Sequence, residues 1–280
     1  MTEMAEWVVV TDEVAIVAQE IGQFWFAELG TQRAFLPFAS PMTGPGAPGS
    51  TAGLLNGAIA LAFGSEGAPP CAATLPRYVF DIAGTYHNAR RTPGHFRRAA
   101  KRLRKFDRPD LADYLEIHAR EETGHHNLVL KDLRALGLPA ERLVANLVHE
   151  AIVPLCEFFD RLVETEYPIG CIGYSYCFES IAALKREGEV TALAALWPKG
   201  IDAGRFLRTH SGIGSEASHV QDMIEFIAGL PAEDRIAIVL ATCATAMIMA
   251  EGLRRTGELG DAAILARLAA AAGEDIRLPA

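Results

Sequence analysis

Pro109-Asp-Leu-Ala-Asp-Tyr-Leu-Glu-Ile-His-Ala-Arg-Glu-Glu-Thr-Gly-His-His-Asn-Leu-Val-Leu-Lys-Asp-Leu-Arg-Ala-Leu136 is the stretch on which the fold turns. Leu111, Leu115, Val129 and Leu136 form an apolar stripe at helical spacing, and His118, Glu122 and His125 continue it at i, i+4 and i+7. The pattern predicts one helix over 109–136, opened by Pro109, where the missing N–H does no harm. Residues three apart on a helix lie within about 60° of one another. Glu122-Thr-Gly-His125 therefore aims a carboxylate and an imidazole the same way. Glu121 and His126 are each rotated by about 100° from a member of the stripe. Glu122 and His125 are thus the preferred ligand pair, with His118 as an additional ligand or a supporting group.

The motif occurs twice. Glu216-Ala-Ser-His219 repeats the Glu-x-x-His spacing and shares its face with Met223 and Phe226. Between the copies, Glu179 is the only charged residue from Tyr167 to Leu184. A helix apolar nearly all round is buried. A carboxylate there costs several kcal/mol unless it is protonated, paired or bound to a metal. A salt bridge from another helix stays open as an explanation. His210 precedes His219 by nine residues, about half a turn off on an ideal helix. It joins the others only if the backbone departs from regular helix, as Ser211, Gly212, Gly214 and Ser215 would allow; a surface position is the alternative. Three carboxylates and up to three imidazoles suit two iron or manganese ions better than a structural zinc, which would favour thiolates.

The rest of the chain reads as helical, without a convincing alternating strand. A first helix is expected from Asp12 to Leu29, a Pro- and Gly-rich loop from Pro37 to Ser50, and a short helix capped by Thr51 running to Phe63. A second irregular stretch runs to Leu75. Further helices are expected at 77–90, 94–105, 140–164, 168–186, 189–196, 201–228, 231–255 and 261–272. Residues 1–75 thus form an N-terminal helical extension packed on an all-α bundle of residues 76–280, one domain overall.

The composition narrows the function classes. The net charge of −9 argues against a nucleic-acid binder. The apolar run from Ile236 to Ala250 is too short to span a bilayer and reads as a buried core helix carrying Thr242 and Thr245. The start of the chain is acidic and has no apolar leader, and the five cysteines contain no C-x-x-C pair, so a reduced cytoplasmic protein is expected. Nothing in this composition opposes a homodimer. The cationic run from Arg90 to Arg108 is read first as a solvated face, and second as an anchor for an anionic substrate or partner.

His118-Ala-Arg-Glu-Glu-Thr-Gly-His125 with Lys131-Asp-Leu-Arg-Ala-Leu-Gly137, the lone Glu179, and the final His…Glu-x-x-His resemble the haem-oxygenase-like di-iron oxidases and oxygenases. The resemblance covers about Tyr78 to Gly252. In that family the last helix usually carries His-x-x-x-Asp/Glu-x-x-His, whereas five residues separate His210 from Glu216 here. The resemblance implies a seven-helix haem-oxygenase-like bundle and an O₂-dependent non-haem di-iron enzyme. It would act on a small amino-acid-derived or biosynthetic metabolite. The two irons, or manganese, would be held by Glu122, His125, Glu179, His210, Glu216 and His219. Glu122, Glu179 and Glu216 would also be the catalytic carboxylates, and Tyr86, His87, His118, Tyr174 and Tyr176 would line the substrate pocket or pack the core.

Three other readings fit the same residues. A thiaminase-like or cofactor-free member of the fold would need an activated thiol such as Cys171 or Cys177. A ferritin-like di-iron protein would need a further upstream ligand such as Glu20 or Glu28. A non-catalytic scaffold would use the motifs as buried polar seams.

Overall fold

The computed structural model describes residues 5–29, 39–64, 74–185, 187–211, 216–276 and 278, with the side chains of 39–41 and 216–218 left undescribed. The chain divides into two units. One comprises Met1–Ala68, Ile169–Ser180 and Ser218–Ala250; the other comprises Pro69–Pro168, Ile181–Ala217 and Glu251–Ala280.

The first unit departs from the expected N-terminal helix. A sheet stands in its place: β1 (Ala5–Val9), β2 (Val14–Gln19) and β3 (Phe24–Glu28) are antiparallel neighbours, and β4 (Ala39–Pro41) pairs parallel with β1 in the order β3-β2-β1-β4. Ile16 faces Val8 on one side and Phe26 on the other. The physical reason for the misreading lies in β2. Ala15, Ile16, Val17 and Ala18 are all fully buried, with helix α1 (Pro48–Phe63) packed against the strand. A strand buried on both faces loses its alternation and becomes an apolar run that periodicity cannot tell from a helix. Composition was the better guide, since Val8-Val9-Val10, Val14-Ala-Ile-Val17 and Phe24-Trp-Phe26 are rich in β-branched and aromatic residues. α1 begins three residues before Thr51, with Pro48 in its first turn and Ala47 at the N-cap, so Thr51 is not the cap.

One buried ion pair ties this unit together. Arg235, completely buried on helix α11 (Ala232–Gly257), donates from Nη1 to Glu6 Oε1 at 2.8 Å and from Nη2 to Glu6 Oε2 at 2.5 Å. It also donates to the Gly44 carbonyl at 3.0 Å and to Thr51 Oγ1 at 2.9 Å, while Ser50 Oγ donates to Glu6 Oε2 at 2.6 Å. Strand, loop and two helices thus meet on one guanidinium. α11 is long and apolar enough to cross a membrane by length and composition. Here it packs on helix α7 (Gly170–Ala183): Thr242 Oγ1 donates to the Gly173 carbonyl at 3.1 Å, and a Cβ on Gly173 would lie 2.2 Å from the Ile238 carbonyl oxygen. Ile238, Val239, Thr242, Cys243 and Ala246 are buried, in line with the core-helix reading. Helix α10 (Glu216–Ala228) completes the unit's helices.

In the second unit, helix α2 (Leu75–Leu103) starts at a Thr74 cap and runs unbroken through Pro93, where two helices were expected. An internal proline costs about 3 kcal/mol. Packing of α2 against helices α3 (Pro109–Glu121) and α6 (Ile152–Glu164) offsets that cost. The expected 109–136 helix is instead α3 and α4 (His126–Ala135), separated by a turn. The expected 140–164 helix divides into α5 (Ala140–Asn146) and α6. Between them the His149 ring stacks on Phe80 at 4.2 Å, and His149 Nδ1 accepts from the Ala151 N–H at 3.3 Å. Pro154 in the first turn of α6 was the overlooked signal. The expected 201–228 helix is also interrupted: α9 (Arg205–Thr209) ends at His210, and α10 begins at Glu216. Residues 212–215, on which a locally unwound helix was expected, lie outside the described residues. Helices α8 (Glu187–Ala194) and α12 (Asp261–Ala272) match their expected positions within a few residues.

The cationic run of α2 is largely neutralised within this unit. Asp160 lies 3.3 Å from Arg91 and 3.4 Å from Arg98, Glu164 pairs with Arg98 and Arg102, and Arg104 meets Asp113 and Glu116. These are half-exposed pairs of small energetic weight.

Removing Glu6 leaves the Arg235 guanidinium buried without its carboxylate, so Glu6→Ala should destabilise the protein by about 3–5 kcal/mol in urea unfolding. Burial opposes ionisation of Glu6, but the hydrogen bonds from Arg235 and Ser50 and the Arg235 charge outweigh it and hold the carboxyl below its ordinary range. The contribution is therefore complete above the ordinary carboxylate range and lost as pH falls through the depressed value. An acid titration of stability should show this limb in the wild type and not in the variant.

Candidate metal centre

Glu122 caps the C-terminus of α3 instead of continuing it. Its N–H donates to the His118 carbonyl at 2.9 Å, and the His125 N–H donates back to the Glu122 carbonyl at 3.3 Å. The chain can turn here because Gly124 adopts φ +99, in the left-handed region that side chains disfavour. Arg97 of α2 braces the turn: it donates to Thr123 Oγ1 at 2.9 Å, and Thr123 Oγ1 donates to the Ala119 carbonyl at 2.6 Å. The turn preserves the meeting of carboxylate and imidazole that the spacing implied, with His125 Nδ1 3.1 Å from Glu122 Oε2. The expectation was right about the pair and wrong about the helix that would hold it.

His210 reaches the same place from another segment. It terminates α9, its ring centroid 4.8 Å from that of His125 at 80° and 4.5 Å from that of Phe206. One ligand atom from each of Glu122, His125 and His210 lies within 4.8 Å of the others, and all three residues are half-buried. His210, the residue whose spacing departs from the family pattern, is thus brought into the cluster. Burial works against the charge of Glu122, but the His125 hydrogen bond and the fields of His210, His125 and His118 overcome it and hold the carboxyl below its usual range. Glu122 is therefore an anionic oxygen donor at neutral pH, flanked by imidazoles. One carboxylate and two imidazoles are a donor set that suits ferrous iron or manganese.

His118 lies on α3, one turn before Glu122. It is buried against Tyr114, with ring centroids 4.4 Å apart, and its Nδ1 lies 3.6 Å from Glu121 Oε2.

The other expected site residues fall as follows. Glu179 is buried on α7 and accepts from Ser175 Oγ at 2.8 Å, in the first unit. His219 is half-buried on α10 in that same unit. Glu216 opens α10, and its side chain lies outside the described residues. Among the described residues, the clustered donors are Glu122, His125 and His210. Tyr86 is buried in the core with Val129, Leu130 and Leu133, edge-on to His87 at 5.6 Å and to His126 at 5.7 Å. Burial foremost, with Arg91 and Arg90, holds His87 below its ordinary value against the pull of the Leu147 and Val144 carbonyls, so it is a neutral ring. Tyr174 and Tyr176 are buried on α7, and the Tyr176 hydroxyl donates to Asn56 Oδ1 at 3.0 Å. Burial, with Cys243 nearby, pushes the Cys177 thiol up to about 12, which leaves it a poor nucleophile for a hydrolase at this position.

Sequence reading missed Asp132. This residue is completely buried on α4 and accepts hydrogen bonds from the Arg205 and Phe206 backbone N–H groups at 3.1 and 2.9 Å and from Arg205 Nη1 at 3.0 Å. The signal was present, because Asp132 sits within the stripe Val129, Leu133 and Leu136. A carboxylate on an apolar face needs donors from elsewhere.

A solved domain of unknown function from Shewanella denitrificans OS217, described as having a heme oxygenase-like fold, superimposes on the chain with a TM-score of 0.52. The alignment covers 72% of this chain and 82% of that one at 18% sequence identity. This chain has the haem-oxygenase-like fold. No family model and no curated protein matches it. The haem-oxygenase-like bundle expected from the central helix is thus present, with a small sheet where the N-terminal helix was placed.

Gly124→Ala tests the turn. Ala in the left-handed region should cost about 1 kcal/mol or more of stability in urea unfolding. It should also lower the affinity for Fe(II) in anaerobic titrations by moving His125 off Glu122.

Proposed function

We propose that this protein is an O₂-dependent non-haem iron oxidase or oxygenase acting on a small metabolite, with manganese as the alternative metal. The convergence of Glu122, His125 and His210 within 4.8 Å of one another carries the reading. The donor set fits ferrous iron: one anionic oxygen and two imidazoles without a thiolate. When bound, the metal would supply O₂ activation. The chain's own part is to hold Glu122 as a carboxylate and to orient His125 and His210.

A di-iron centre is the preferred form. Glu179, Glu216 and His219 are proposed as the further ligands, on the strength of the repeated Glu-x-x-His motif and the carboxylate within an apolar helix. Glu122, Glu179 and Glu216 would then be the catalytic carboxylates. Tyr86, His87, Tyr174 and Tyr176 are proposed pocket residues whose burial fits core packing equally well. A mononuclear iron on the Glu122–His125–His210 triad is the second reading, favoured by the clustering of that triad among the described residues. The proposal extends to a cytoplasmic protein without nucleic-acid or membrane partners, with a homodimer as its possible assembly. Among the described residues Cys156, Cys171, Cys177 and Cys243 are buried, and with the acidic charge this is compatible with a reduced compartment.

Anaerobic reconstitution with Fe(II), followed by desalting, metal analysis and Mössbauer spectroscopy, tests the reading. We expect close to two irons per chain and O₂ consumption by the loaded protein. Glu122→Ala should lose at least one iron and most O₂ consumption. A wild-type stoichiometry near one selects the mononuclear form, and one near zero removes the metalloenzyme reading.

A further inference from the structure

We propose that Asp132 is a positioning residue of the metal centre: by capping α9 from α4, it fixes His210 beside Glu122 and His125. The consequence for metal rests on the iron reading above; the consequence for the placement of the His210 ring does not.

α9 spans only Arg205–Thr209, and a helix this short is not stable by itself. Its N-cap residue is Gly204, which has no side chain to satisfy the first N–H groups. That task falls to a residue more than seventy positions away. Asp132 Oδ1 accepts from the Arg205 N–H and from Arg205 Nη1, and Oδ2 accepts from the Phe206 N–H. The carboxylate is completely buried, so loss of these donors would strand a charge away from water. Docking of α9 and satisfaction of Asp132 are one event. His210 follows directly, because its N–H donates to the Phe206 carbonyl at 3.0 Å and its ring lies on the Phe206 ring.

Other contacts hold the flanks of this segment. The Tyr78 hydroxyl donates to the Ala203 carbonyl at 2.5 Å, and Arg208 donates to both oxygens of Asp202 at 2.8 Å. Neither contact reaches the opening N–H groups of α9. The feature specific to Asp132 is the element it stands on. α4 begins immediately after His125, and Asp132 lies two turns along it, a rise of about 10 Å. A single short helix therefore has one ligand at its N-terminal boundary and, from its body, fixes the helix that delivers another. Two ligands distant in sequence are referenced to the same rigid element.

The test uses the full chain and Asp132→Asn, which keeps the side-chain shape but removes the charge and sets an amide against one donor. Two readouts are needed. In metal-free protein, the NMR contact between the His125 and His210 rings, present in the wild type, should disappear while far-UV circular dichroism is retained. In Co(II) titrations, affinity should fall by about tenfold or more, the effect expected for a residue that orients a ligand from behind. The same substitution made on a His210→Ala background should change Co(II) affinity by less than about twofold, because a role exercised through His210 has nothing left to act on. Retention of the ring contact, or an equal loss of affinity on both backgrounds, overturns the proposal. Should Asp132→Asn not fold, Arg205→Ala removes one of the three donors and should weaken Co(II) binding about threefold in the same His210-dependent way; an unchanged affinity overturns the proposal. A wild type that binds no Co(II) removes the metal reading and leaves the ring contact to decide the positioning role.

Discussion

The candidate centre depends on a buried carboxylate that is not itself a ligand. Asp132 is closed off from water and satisfied by the first N–H groups of α9 and by Arg205. Because an unmet buried charge costs several kcal/mol, α9 has one favourable place to sit. In that place His210 faces His125. The second constraint is the left-handed Gly124, which ends α3 one residue before Glu122 would have continued it and starts α4 one residue after His125. Together, a cap and a turn assemble three donors from two separate segments.

Placing ligands on helix ends has a chemical consequence. Glu122 closes one helix, His125 precedes the next, and His210 follows a third. Side chains at helix boundaries depend less on helical phase than those in the middle, and their orientation is set by whatever braces the turn. Here the braces are Arg97 on Thr123 and Asp132 on α9. The His125 hydrogen bond, with the fields of His210, His125 and His118, keeps the Glu122 carboxyl below its usual range despite its burial.

The first unit follows a different logic. The Arg235–Glu6 pair gathers β1, the 44–51 segment and α11 onto one fully desolvated guanidinium. Such a pair adds little to stability compared with an apolar replacement, yet losing one partner is expensive, so it acts chiefly to specify the arrangement. Around it, α7 and α11 approach closely enough at Gly173 that no side chain fits. The neutral, buried Cys177 and Tyr176 on α7 fit a packed interior better than thiol or phenolate chemistry.

The sequence alone determined the helical bundle, the pairing of Glu122 with His125, and the burial of Glu179, because each follows from local spacing and from the cost of placing charge among apolar residues. Glu-x-x-His meets on a helix and in this turn alike, so the pair was legible even though its backbone was not. Tertiary structure decided the rest. The two-sided burial of β2 erased the alternation that marks a strand, packing carried α2 through Pro93, and a distant carboxylate delivered His210 to the site. Each depends on a partner remote in sequence whose desolvation energy outweighs the local propensity, and single-chain periodicity carries no record of that partner.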